Sequence, residues 1–241
     1  DIINVGANMN MNELQELADR QALQREEELK YPPKDYSKGK VTLYHGTSTK
    51  YLDDILSKGI TPRHNKGIGN WSGNPSHPLM VYLSDAYPVY FAQQSVNAYN
   101  EKNCDSEKDE PVVLEVIVDT KRLYPDEDFL EQYHRIAPQW KDAVEKTTMQ
   151  ERTIYFKQNL LDYKDDYQTS LFGLGNCCHK GVIKPKNIVR YSILDYNEIL
   201  NYSDPSINLQ NYQLLGGRYR MISDKTMWEK PLSIESINLQ E

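Results

Sequence analysis

Apolar positions along the chain fall into short runs separated by polar stretches rich in Gly, Pro, Asn and Ser. Residues 41–44 form a compact apolar run and predict a strand. Tyr51, Leu52, Ile55 and Leu56 then recur at helical spacing, with Ser48 placed to cap that helix and Gly59 to end it. Residues 61–78 read as a loop, and residues 79–83 as a second strand. A further helix starts at Ser84 or Asp85 and carries Tyr87, Tyr90, Phe91 and Val96. Residues 111–119 are almost continuously apolar and predict a buried strand. After the acidic run Asp126-Glu127-Asp128 the pattern turns helical, and Val182-Ile183 and residues 188–194 read as closing strands around Pro185. Strands alternate with helices in a way no bundle needs, so the expected class is α+β.

The flanks differ. Residues 9–30 predict one helix with a thin stripe of Leu14, Leu17, Ala18 and Leu23, followed by the linker Tyr31-Pro32-Pro33-Lys34-Asp35. Residues 197–241 are polar, with few signals. The expected organisation is an arm and linker over 1–37, a catalytic-type domain over 38–200 and an extension over 201–241. No repeat or low-complexity tract is seen.

Composition narrows the classes. The chain has 241 residues, 39% hydrophobic, enough for one domain with extensions. Tyr occurs 18 times against 4 Phe, which suits half-buried surfaces where a ring packs and a hydroxyl stays bonded. The net charge of −7 argues against a protein that binds nucleic acid mainly through phosphates, though a local basic groove is compatible with it. Three cysteines, Cys104 and the adjacent Cys177 and Cys178, make a poor disulfide framework and fit a reducing cytosol. Cys177-Cys178-His179 reads as small buried residues on a strand, since strand neighbours face opposite ways and cannot easily share a metal. No run of about 18 apolar residues and no basic-then-apolar leader is present. The expectation is a cytoplasmic chain without a membrane partner or signal peptide.

Three segments carry the chemistry. The first is Leu43-Tyr44-His45-Gly46-Thr47, followed by Ile55-Leu56, then Gly59-Ile60, and Arg63 beyond. The second is Met80-Val81-Tyr82-Leu83-Ser84-Asp85, followed by Tyr90-Phe91-Ala92. The third is Cys178-His179-Lys180-Gly181-Val182-Ile183-Lys184-Pro185.

In this order the segments resemble the poly(ADP-ribose)-polymerase-like branch of the ADP-ribosyltransferases, its sister family of RNA 2′-phosphotransferases, and related bacterial toxins. In that branch a strand ends in His-Gly-Thr or His-Gly-Ser, and a second strand carries a Tyr two residues before a Ser, Thr or Ala. The resemblance covers residues 41–95 well and 110–195 loosely. It implies an ADP-ribosyltransferase-like pair of split antiparallel sheets with flanking helices, and NAD as co-substrate.

It also implies roles. His45 would bond a ribose hydroxyl, and the backbone of Gly46 and Thr47 would grip the nicotinamide amide. Tyr82 would stack on the nicotinamide, with Tyr90 nearby. Ser84 would bond the carboxamide. Arg63 would pair with the diphosphate, whose oxygens match a guanidinium. Cleavage of the nicotinamide–ribose bond passes through an oxocarbenium-like state, so the site must stabilise positive charge at the anomeric carbon.

The sequence departs from the family at one place. The family's catalytic Glu stands about six residues before the turn Pro, and here that position is His179. Such a replacement goes with transfer of single ADP-ribose units. Glu151 is a candidate substitute, against its reading as a surface helix residue. The run Asp126-Glu127-Asp128, with Glu131, is another, against its reading as a solvated helix start, where acids are favoured. For Asp126 and Glu127 the solvated start is preferred.

The expected function is a mono-ADP-ribosyltransferase acting on a macromolecular acceptor, RNA or DNA ahead of protein, of a bacterial or phage-related toxin, defence or effector kind. An antitoxin or inhibitor protein would fit the N-terminal arm. Two alternatives stand beside it. An RNA 2′-phosphotransferase would need a basic set for the RNA phosphate, and Tyr82 stands where that family has His. A non-catalytic module binding NAD or ADP-ribose would explain His179.

Overall fold

The computed structural model describes residues 34–37, 39–62, 76–100, 109–133 and 148–194, together with helical positions 11, 12, 15 and 19. Those four positions fall within the helix expected over 9–30; the remainder of that helix, the residues after 194, Arg63 and Cys104 lie outside the described residues.

Among the described residues, six strands form one antiparallel sheet. In chain order they are β1 (Lys40–Ser48), β2 (Met80–Ser84), β3 (Pro111–Asp119), β4 (Leu123–Pro125), β5 (Asn176–Lys180) and β6 (Ile188–Ile193). Across the sheet the order is β4-β5-β2-β1-β3-β6. The helices are α1 (Leu52–Lys58), α2 (Pro88–Asn100), α3 (Glu127–Tyr133), α4 (Met149–Gln158) and α5 (Tyr167–Gly173). The α+β class expected from the alternation is observed.

Several details differ from the expectation. The first strand runs through the His45-Gly46-Thr47 segment to Ser48, because β3 pairs with it over its full length. Ser48 makes no side-chain cap bond; its hydroxyl is buried at the end of β1, where strand pairing holds the backbone extended. Ser84 lies in β2, and its side chain organises the turn that precedes α2. The third segment contributes its strand at 176–180, before Val182-Ile183. Ile183 makes only an isolated bridge to Ile60, and Pro185 then opens a short 3-10 turn. Gly59 ends α1 as expected, at φ 88°, a conformation that disfavours any other residue.

Side-chain alternation assigns the two faces. Leu43, Val81, Leu83, Leu114 and Val116 share one face with Leu52 and Ile55 of α1 and Leu171 of α5. On the opposite face, α2 covers Tyr44 and Val113 near the sheet centre. Phe129 and Leu130 of α3 and Phe156 of α4 cover Met80 and Cys178 beside them. Each fully buried Leu or Phe in these layers contributes about 1.5–3 kcal/mol relative to exposure. Cys177 and Cys178 are small buried residues on a strand, as expected, and burial pushes both thiols well above their ordinary range. Among the described residues, no helix is long and apolar enough to cross a membrane.

The join between β1 and β2 positions the site. Tyr44 opposite Ser84 is the one registered pair between these strands. Beyond it the strands part. The His45 ring supplies Nδ1 to the carbonyl of Tyr82 at 2.9 Å, so a side chain meets β2 where a backbone ladder would otherwise continue.

Candidate functional site

A cleft of about 400 Å³ opens where β1 and β2 part. Its size falls in the range of small-molecule sites, roughly 300–1,000 Å³. Tyr44, His45, Gly46 and Thr47 of β1 line it, as do Tyr82 and Ser84 of β2. Ile55 and Ile60 form an apolar wall on one side of the sheet, and Phe91 of α2 contributes from the other. Asp126, Glu127, Asp128 and Asn176 complete it.

Tyr82 is held through its hydroxyl. Its hydroxyl lies 2.6 and 2.8 Å from the two carboxylate oxygens of Glu127, and shares its proton between them. It also accepts the backbone N–H of His77 at 3.1 Å. Burial, followed by the nearby Cys178, Glu127 and Asp126, pushes the phenol well above its ordinary pKa, so it stays protonated. Lys157 of α4 reaches Glu127 at 3.6 Å. Glu131 is held from the same helix by Arg152 at 2.8 Å, so two α3–α4 ion pairs fix the acidic segment against the sheet.

Asp126 and Glu127 are only 6% and 4% exposed. The reading of these two as a solvated helix start is therefore corrected. The apolar residues of α3 anchor to the sheet, and this draws the preceding acids inward. Burial and the neighbouring Glu127 and Asp128 carboxylates push Asp126 well above the ordinary carboxylate range. Asp128 is exposed at the rim and is raised by partial burial and by Glu127.

Ser84 lines the cleft, but its hydroxyl is engaged three ways. It accepts the N–H groups of Ala86 and Tyr87 at 3.0 and 2.7 Å and donates to the carbonyl of Gly175 at 3.2 Å. Gly46 has a packing reason of its own: a Cβ there would lie 2.1 Å from the Pro88 carbonyl oxygen and 2.4 Å from the Ala92 nitrogen. The bond from His45 to Tyr82 requires the proton on Nδ1, which makes Nε2 the acceptor of the neutral ring.

Three expected site residues lie elsewhere. His179 is opposite Val81 and Leu123, on the other face from Tyr82 and Cys178, and does not line the cleft. It is buried, its Nδ1 meets the Gly181 carbonyl at 3.1 Å, and burial lowers its pKa. Glu151 forms a capping box with Thr148 at the exposed start of α4. Tyr90 is 44% exposed and packs edge-on against Phe91, which takes the cleft position one residue further along α2.

Cleft-lining residues that the sequence did not single out include Phe91 and Asn176, and among the acids only position could decide. The one signal in the sequence was the acidic run directly after an apolar strand. Nothing around Asn176 distinguishes it from an ordinary strand-end residue.

No protein-family model matches the chain, and no curated protein matches it. A solved structure named EcPltA is similar at 14% identity and a TM-score of 0.36, over 67% of this chain and 80% of that one.

Proposed function

We propose that the chain is an NAD-dependent mono-ADP-ribosyltransferase, with the cleft between β1 and β2 as its active site. The observation that carries the reading is the Tyr82–Glu127 hydrogen bond in a cleft also lined by His45. Glu127 supplies, from the start of α3, the carboxylate that His179 does not supply from the strand. On this reading the parting of β1 from β2 is the counterpart of the split sheets of the family resembled.

The lining suits the nicotinamide–ribose half of NAD. Apolar Ile55 and Ile60 and the rings of Tyr82 and Phe91 offer packing for a flat heterocycle. Asn176 offers a buried acceptor, Oδ1, with no hydrogen-bond partner among the described residues. Among the described lining residues none is Lys or Arg, so the described part of the cleft is assigned to the nicotinamide–ribose half and not to the diphosphate.

The chemistry is heterolysis of the glycosidic C–N bond, with the electron pair leaving on the nicotinamide nitrogen. Glu127 stabilises the positive charge that develops on the ribose, with Tyr82 and Lys157 holding its carboxylate in place. His45 orients a ribose hydroxyl through Nε2, with its other nitrogen anchored on the Tyr82 carbonyl. Such a group is complementary to the transition state more than to the substrate, which is what raises rate.

The RNA 2′-phosphotransferase alternative needs cationic groups for a phosphate, and the acidic wall disfavours it. Incubation with labelled NAD tests the proposal: nicotinamide release and label on a macromolecule are expected, both lost in His45→Ala. NAD binding without nicotinamide release would leave only a non-catalytic binding module.

A further inference from the structure

We infer that the acceptor is the guanidinium group of a protein arginine, received between Asp128 and Asn176, and not a nucleic acid. The inference rests on the transferase reading above. It begins from the contrast in the cleft wall: carboxylates at 126, 127 and 128, and no Lys or Arg among the described lining residues. A phosphate backbone approaching this wall meets like charge, whereas a cation is attracted to it.

A second observation points to a hydrogen-bond donor in the ligand. Asn176 is 8% exposed, lines the same cleft, and carries a buried Oδ1 with no partner among the described residues. An acceptor left unpaired in the interior is unfavourable, and a ligand N–H relieves it. Asn176 and Asp126 are joined through one hydroxyl: Ser170 donates to the Asn176 carbonyl at 2.7 Å and accepts the Asp126 N–H at 3.0 Å. The backbones of Asn176 and Asp126 are thus tied together, and both residues line the same cleft as Glu127 and Asp128.

The required ligand group carries positive charge and several N–H donors in a plane, to reach a carboxylate and an amide oxygen together. A guanidinium has five such donors in a fixed fork, while an ammonium is a compact, strongly hydrated point charge. The carboxyls of Asp126 and Asp128 are raised by burial and then by the neighbouring Glu127 carboxylate, a repulsion that a bound cation offsets. Asp128, at the rim, is also placed to take the proton the acceptor must lose.

The step balances. The bond from the ribose anomeric carbon to the nicotinamide nitrogen breaks, and its electron pair leaves with neutral nicotinamide. A guanidino nitrogen forms the new C–N bond, and its proton passes to Asp128 and then to water.

The experiment gives the purified protein labelled NAD with agmatine, an arginine peptide, a lysine peptide, RNA or DNA, and quantifies nicotinamide, free ADP-ribose and ADP-ribosylated product by mass spectrometry. Agmatine and the arginine peptide are expected to be modified. Asp128→Asn and Asn176→Ala should each lower the ratio of ADP-ribosyl-agmatine to free ADP-ribose by at least ~10-fold, equivalent to about 1.4 kcal/mol. Nicotinamide release with label on RNA, DNA or lysine and none on agmatine overturns the inference and leaves the transferase reading standing. So does an unchanged ratio in both variants. No nicotinamide release under any condition overturns the transferase reading itself, and the inference with it.

Discussion

Tyr82 and Glu127, 45 residues apart, meet through the tyrosine hydroxyl, 2.6 and 2.8 Å from the two carboxylate oxygens. The pair joins the central strand of the cleft to the acidic segment ahead of α3, so each residue fixes the other's geometry. Neutralising the carboxylate and removing the hydroxyl should therefore have different signatures. Glu127→Gln keeps an acceptor for the hydroxyl and should preserve the fold, while nicotinamide release falls by about 10²-fold or more. Tyr82→Phe takes one donor from the Glu127 carboxylate and the acceptor from the His77 N–H, and should cost about 1–3 kcal/mol in urea unfolding as well as activity. Full activity in Glu127→Gln would remove this residue from the mechanism.

A pH dependence follows from Asp126. Its folded pKa lies above the unfolded value of about 3.9, so the native state binds more protons than the unfolded state once the pH exceeds that value. Stability therefore falls as pH rises from about 4 toward the folded pKa. Asp126→Asn does not titrate and can still accept the Asp128 N–H, which Asp126 receives at 2.8 Å. The stability of the variant relative to the parent should increase between pH 4 and 7, as read from urea midpoints. His77 and His179, both lowered by burial, destabilise the fold as pH falls below about 6.5, but equally in both proteins.

Gly46 tests the packing of α2 on β1. The Cβ of Gly46→Ala would meet backbone atoms of Pro88 and Ala92, which cannot rotate away. The helix must shift, at a cost of about 3 kcal/mol, the upper end for overpacking. The displacement also moves Phe91, so nicotinamide release should drop alongside the unfolding midpoint. A variant as stable as the parent would show that α2 repositions freely.

The segment 34–37 is tied to the end of β2. Lys34 reaches the buried Asp85 at 2.5 Å and the Thr42 carbonyl at 3.0 Å, and Tyr36 donates to the other Asp85 oxygen. Tyr167 of α5 in turn donates to the Tyr36 carbonyl at 2.8 Å. Lys34→Met and Tyr36→Phe each leave the carboxylate short of one donor and should cost about 2 kcal/mol. Because they share that carboxylate, a double-mutant cycle should show a clear interaction energy between them. Strict additivity would mean the two donors act independently.

Glu151 offers a contrast. Its carboxylate accepts the Thr148 N–H at 2.9 Å while the Thr148 hydroxyl accepts the Glu151 N–H at 3.1 Å. Glu151→Ala should cost less than about 1 kcal/mol through the lost cap and leave NAD cleavage intact. A collapse of activity would bring α4 into the mechanism.

The antiparallel core was legible because its signals are local. The apolar run at 111–119 is β3 as observed, and the His45-Gly46-Thr47 and Met80-to-Ser84 segments sit on adjoining strands. Strand period and turn residues suffice for that, since they depend on neighbours in the chain. Tyr90 shows the limit of such reasoning: one residue along a helix turns a side chain by about 100°, and it is Phe91 that lines the cleft.

The sequence by itself determined the class of fold, the strands that carry His45 and Tyr82, and the order of the segments. Tertiary structure alone decided which acids line the cleft. His179 alternates to the far face of β5, and Glu151 is consumed by a helix cap. Glu127 is carried inward by the burial of Phe129 and Leu130. The reason is physical: a carboxylate's role is set by what encloses it, and the side chains that hold Glu127 come from positions 82 and 157.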